Sequence, residues 1–221
     1  MSHKLAAIAL ALVVGLSMAH AGTLLTTEAG YTGTVLDLAA YANGNYNFTF
    51  GPAAIPGGIT FTSNNGGGNS GRGSVLGQGG YGLGSNGSFD GIPVYAGLDS
   101  ATGYMTFTFA SAVQQFGAFM NYAPGLGDDP TISVYNGATL LDTFDLATLA
   151  PISTPGGVDQ FRFRGISEDS AEITSFRMAG SYLLATGTSN GAPISGPEPA
   201  SLVLLGTGLV ALGMVGRRQK R

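Results

Sequence analysis

The stretch "TISVYNGATLLDTF" (131–144) holds two β-like runs on either side of Asn136-Gly137. That dipeptide accepts the positive φ angles of a type I′ turn, so the stretch predicts a two-stranded hairpin. The same texture recurs outward from it. Short β-like runs stand at 46–50, 58–63, 104–110, 115–122, 160–166 and 173–178.

Several of these runs alternate with period two, as strands with one buried face do. In "YMTFTFA" (104–110), Met105, Phe107 and Phe109 share one face, and Tyr104, Thr106 and Thr108 the other. In "QFRFR" (160–164), Phe161 and Phe163 point one way, Arg162 and Arg164 the other. Between the two ends no long stretch shows a 3.6-residue period. Many short strands with glycine-rich turns predict an all-β fold, an antiparallel β-sandwich of jelly-roll-like type. A β-solenoid is the alternative, but no fixed repeat period emerges.

One segment has a separate texture. Residues 57–91 carry 14 glycines and read as a surface loop between strands. Within it "GGYGLG" (79–84) begins like the calcium-binding repeat G-G-x-G-x-D. Gly84 stands where that repeat needs its aspartate, and no second copy follows.

Both ends read as processing segments. At the start, Lys4 gives a positive region, 5–18 is apolar, and Ala19-His20-Ala21 is a small-x-small site. A signal peptide over 1–21, cut by signal peptidase before Gly22, is the expectation. At the far end, 187–196 is a polar Gly/Ser/Pro linker, followed by Pro197-Glu198-Pro199. Residues 200–216 contain no charge and sit at the short limit of the about 17–25 residues that cross a bilayer. Arg217, Arg218, Lys220 and Arg221 follow; they predict a cytoplasmic end and an exported body.

Between those ends, the body expected at 22–186 and its linker contain no His, Cys, Lys or Trp. That excludes a Ser-His-Asp hydrolase, a histidine- or cysteine-bound zinc, a Schiff-base lysine and a P-loop lysine. Four arginines face twelve carboxylates there, a net charge of −8. With no basic stripe, nucleic acid is not an expected partner. Carboxylates, arginine, tyrosine and hydroxyls remain. Asp128-Asp129 in "GLGDDPT" and the stretch "SEDSAE" (167–172) are the candidate sites for calcium, a hard cation that favours oxygen ligands; each also reads as an ordinary solvated turn. No other cofactor is expected. Twelve acidic residues make some carboxylate pair inevitable, so spacing along the chain does not identify a glycosidase. Tyr81, Tyr95 and Tyr122 are the candidate platforms for a sugar, against the plainer reading of packed tyrosines with wet hydroxyls.

Pro197-Glu198-Pro199, the apolar run and the basic end together resemble the PEP-CTERM sorting signal. The resemblance covers about the last 25 residues. It implies recognition by an exosortase, a membrane transpeptidase that cuts near the triplet, after the inner membrane has held the tail. Tails of this type also occur on some proteins named for ice binding. The resulting expectation is an exported, non-catalytic protein of the cell surface or extracellular matrix, associated with exopolysaccharide. Two alternatives stand beside it: a calcium-dependent adhesin and a carboxylate-dependent glycan hydrolase.

Overall fold

The computed structural model describes residues 21–33, 36, 49–64, 73–98, 103–123, 125, 127–153, 161–180 and 182–186. The signal segment 1–20, the linker and the whole tail 187–221 lie outside these residues. So do the triplet, the basic end, the apolar run and Ala19. Among the described residues no helix is long and apolar enough to cross a membrane.

Twelve strands and one short helix make up the described chain. In order they are β1 (Thr23–Leu25), β2 (Ala53–Ile55), β3 (Ile59–Ser63), β4 (Gly73–Gly82), β5 (Ser88–Leu98), β6 (Tyr104–Val113), β7 (Gln115–Tyr122), β8 (Thr131–Asn136), β9 (Thr139–Asp145), α1 (Leu146–Leu149), β10 (Arg162–Ser167), β11 (Ile173–Ala179) and β12 (Leu183–Thr186). They form two six-stranded sheets. Sheet A runs β1-β10-β7-β12-β5-β4, and sheet B runs β2-β3-β6-β11-β8-β9. Every strand pair is antiparallel.

The sheets pack face to face, which gives the antiparallel sandwich that the strand rhythm predicts. Met105 and Phe107 of β6 and Phe176 and Met178 of β11 project from sheet B. Phe116, Ala118 and Met120 of β7 meet them from sheet A. Phe116 is the hub: its ring lies 4.7 Å from Phe109, 5.0 Å from Phe176 and 6.2 Å from Phe107, centroid to centroid. Burying each such ring contributes about 1.5–3 kcal/mol.

Sheet A is covered on its other face as well. Phe119, Phe163 and Leu184 point outward into a second cluster with Tyr81, Leu83, Phe89 and Phe161. This decides which way the two faces of "QFRFR" turn. The alternation is real, but Phe161 and Phe163 fill the outer cluster. Arg164, on the opposite face beside Ile166, therefore enters the sandwich interior and is buried, while Arg162 is exposed. A strand buried on both faces has no wet side for its polar residues.

The hairpin at 131–144 forms as β8 and β9, with a different turn. Asn136 pairs with Thr139, so Gly137 and Ala138 are the central residues. Gly137 has φ +57, and Tyr182 is the one non-glycine with positive φ among the described residues. Glycine at the first central position alone marks a type II′ turn rather than type I′. The glycine-rich stretch also differs from the expected loop. Gly73–Gly82 and Ser88–Leu98 pair over ten positions as β4 and β5, around a 3-10 turn at Gly84–Asn86. Of the run expected at 46–50, residues 46–48 lie outside the described part; Thr49 bridges to Leu76.

Candidate functional site

The outer face of sheet B is lined with hydroxyls in register. One row crosses five strands as Thr62, Thr106, Arg177, Ser133 and Thr143. The next is Thr60, Thr108, Ser175, Tyr135 and Leu140. The pattern follows from the period-two sequences: every second residue of β3, β6, β8 and β11 builds the core, and threonine and serine fall between them.

At the centre of this face Arg177 is clasped between two rings. Its guanidinium carbon lies 4.0 Å from the Tyr104 centroid and 4.6 Å from that of Tyr135. Its Nη1 also donates to the Tyr135 hydroxyl at 3.1 Å. Such stacking attracts the cation to the ring faces and fixes the side chain. The Nε of Arg177 is buried with no hydrogen-bond partner among the described residues. The three side chains form a half-buried aromatic-cation ridge flanked by alcohols. Chemically, that surface can stack on a flat ring and exchange hydrogen bonds with a polyol.

A cavity of about 480 Å³ opens at one end of the sandwich. Ile59 and Phe109 form its apolar wall, and Thr32, Ser111, Gln114 and Gln115 its polar rim. The rim is internally satisfied: Gln115 Oε1 accepts from the Thr32 amide at 3.0 Å, and Nε2 donates to Ser167 Oγ at 3.1 Å. Tyr31, beside the rim, donates no charge either. Burial pushes its phenol up to about 12, partly offset by the bond from the Gly117 amide.

The residues singled out in the sequence fall elsewhere. Asp128 and Asp129 are both exposed in the turn before β8. Among the described residues, no three His, Cys, Asp or Glu side chains gather as a metal would require. In "SEDSAE", Glu168 is buried and turned toward Gly22, while Ser170 donates to Glu172 at 2.9 Å. Tyr81 and Tyr122 are buried and offer no platform; the side chain of Tyr95 lies outside the described residues. The Tyr104–Arg177–Tyr135 ridge was missed because its members sit on three strands whose pairing is not written in any one run. The available signal was that Tyr104 and Arg177 both fall on the non-core parity of their strands.

Residues 197–221 match the family model of the PEP-CTERM protein-sorting motif. The triplet, apolar run and basic end thus belong to a sorting tail. Such a tail implies export, anchoring in the membrane before processing, and an exosortase as the processing partner. No curated protein matches the chain. Among solved structures, a mutant of a carbohydrate binding module family 29 aligns at 12% identity, over 65% of this chain and 92% of that one. Its TM-score is 0.21, a likeness that carries no argument about fold or ligand.

Proposed function

We propose that this PEP-CTERM protein is a non-catalytic, jelly-roll-like sandwich displayed on the cell surface or in the extracellular matrix, where it associates with exopolysaccharide. The sorting tail at 197–221 is the observation that carries the reading. A signal peptide at 1–21 starts export, the apolar segment 200–216 holds the chain in the inner membrane, and an exosortase acts near Pro197-Glu198-Pro199.

Three features support a binding role over catalysis. The exported stretch has no His, Cys or Lys. The cavity is lined by amides, alcohols and apolar groups, with no carboxylate. The outer face of sheet B offers stacking and hydroxyl hydrogen bonds over five strands, the chemistry that holds a sugar chain without reacting with it. The reading requires no cofactor, calcium included.

The test is co-sedimentation with the host's exopolysaccharide, in wild-type cells and in cells lacking the exosortase. Retention in the matrix that is lost without the exosortase supports both parts. Arg177→Gln and Tyr135→Ala should each reduce retention several-fold while the far-ultraviolet spectrum is unchanged. Equal retention by all variants would sink the sugar-binding face. Loss of retention on adding a chelator would favour the calcium-dependent adhesin instead.

A further inference from the structure

Arg177 is the one charged residue in the two hydroxyl rows on the outer face of sheet B. The stretch 22–196 has twelve carboxylates for four arginines. Yet among the described residues no carboxylate pairs with this cation; its one hydrogen bond runs from Nη1 to the Tyr135 hydroxyl. A guanidinium carries five N–H donors, so most of them remain uncommitted. Nε is buried without a partner, whereas Nη2 makes no hydrogen bond and is not buried. Arg164 is the contrast: its Nε, Nη1 and Nη2 all donate to acceptors within the fold.

A carboxylate that shares this face is committed elsewhere. Asp145 pairs with Thr131, and Thr131 with Ala179, which sets Asp145 two strands from β11. It caps α1, accepting from the amides of Ala147 and Thr148 and from the Thr148 hydroxyl. The cation is also held in place. Tyr104 and Tyr135 flank the guanidinium, and the bond to Tyr135 orients it. An arginine fixed in advance loses little further freedom on binding. Arg177 stands third of five in its row, with Thr62 and Thr106 on one side and Ser133 and Thr143 on the other. Neighbouring strands are about 4.8 Å apart, so a chain lying across them meets alcohols on both sides of one cation.

We propose that Arg177 selects acidic glycans: Nη2, with Nη1 beside it, takes the carboxylate of a uronic-acid-type sugar whose hydroxyls meet Thr106 and Thr143. No covalent bond is made or broken. This rests on the glycan-binding reading above and names its substrate class. The net charge of −8 opposes an acidic polymer at a distance. That repulsion is screened over about 10 Å at 0.1 M salt, while a direct, partly buried contact is screened much less.

The test compares the host's exopolysaccharide in native form and with its carboxyls reduced to alcohols by carbodiimide and borohydride. Reduction keeps every sugar ring and leaves a hydroxyl where each carboxylate stood. Wild-type protein and variants are purified from the host, and affinity is read by co-sedimentation at fixed salt. The native polymer should bind about ten- to a hundredfold more tightly than the reduced one. Added salt should narrow that gap. Arg177→Gln should abolish the difference, and Arg177→Lys should restore only part of it, because an ammonium has no planar fork. Tyr135→Phe keeps the ring, deletes the hydroxyl that orients Nη1, and should shrink the difference with an unchanged far-ultraviolet spectrum. Equal binding of both polymers by the wild type overturns carboxylate selection and leaves the glycan-binding face standing. So does Arg177-dependent binding that survives reduction, which would point to a sulfate ester. Binding of neither polymer overturns the glycan reading and this inference with it.

Discussion

Arg164 Nε donates to the Tyr122 hydroxyl at 3.1 Å inside the sandwich, joining β10 to β7 with a buried cation. The rest of that guanidinium is spent on main-chain oxygens: Nη1 donates to Thr26 and Phe163, Nη2 to Ala150. The Tyr122 hydroxyl in turn donates to the Ala150 carbonyl. Asn86 extends the network, donating to the carbonyls of Tyr122 at 2.6 Å and Ile152 at 2.9 Å. This network closes one end of the fold with polar groups that an apolar core could not satisfy.

The first prediction concerns that pair. Tyr122→Phe leaves Arg164 Nε without its acceptor and should cost about 1–3 kcal/mol. Arg164→Met strips donors from the buried carbonyls of Phe163 and Ala150 and from that of Thr26, and should cost more, about 3–5 kcal/mol. The double variant should cost less than the sum, because both changes disrupt one network. Urea unfolding measures all three, and strict additivity would mean the two side chains act independently.

What the sequence disclosed here, and what it hid, follows from burial. β6, β8 and β11 are buried on one face, so their alternation is plain in Met105/Phe107, Ile132/Val134 and Phe176/Met178. β12 has all four residues buried and shows no alternation, so "LLAT" passes unnoticed in the middle of sheet A. β4 is rich in glycine, which reads as loop although its backbone is laddered to β5. The burial of Arg164 inside the sandwich is hidden because one sequence cannot show that a second cluster covers sheet A. The sorting tail was legible because it is contiguous, whereas the ridge of Tyr104, Arg177 and Tyr135 exists only after pairing.

A second prediction follows from a pair of opposed glycines. Gly117 of β7 pairs with Gly165 of β10. A Cβ at Gly165 would meet Phe116 O at 2.7 Å and Gly117 Cα at 3.0 Å, both main-chain atoms that cannot swing away. A Cβ at Gly117 would strike the Phe163 ring at 2.5 Å. The gap lets Phe163 lie flat across the strands, where Tyr31 packs on it at 4.8 Å. Gly165→Ala should therefore destabilise by about 1–3 kcal/mol through overpacking. An unchanged urea midpoint would mean that the strands are free to separate there.

A third prediction has the opposite sign. Tyr81 is 5% exposed, and its hydroxyl has no hydrogen-bond partner among the described residues. Burying such a group costs about 1–3 kcal/mol. Tyr81→Phe keeps the ring in the outer cluster with Leu83 and Phe89 and removes the stranded oxygen. It should raise the urea midpoint. A fall would mean that the hydroxyl finds a partner, such as a trapped water.

The last prediction is the response to alkali. Burial pushes the phenol of Tyr31 up to about 12 and raises those of Tyr81 and Tyr122, the last partly offset by Arg164. Each folded value lies above the ordinary value near 10, so folding favours the protonated phenol. The stability these groups contribute is thus complete below pH about 10 and is lost as pH rises through the folded values. The urea midpoint should hold level up to that point and then fall steeply. Tyrosinate absorbance should show exposed tyrosines ionising first, with a late, cooperative group released only as the sandwich opens. Tyr31→Phe should shrink the late group and flatten the alkaline fall, because one of the buried phenols no longer ionises. A single smooth titration of every tyrosine near 10, with the fold intact, would contradict the burial of Tyr31, Tyr81 and Tyr122 and with it the covering of sheet A on both faces.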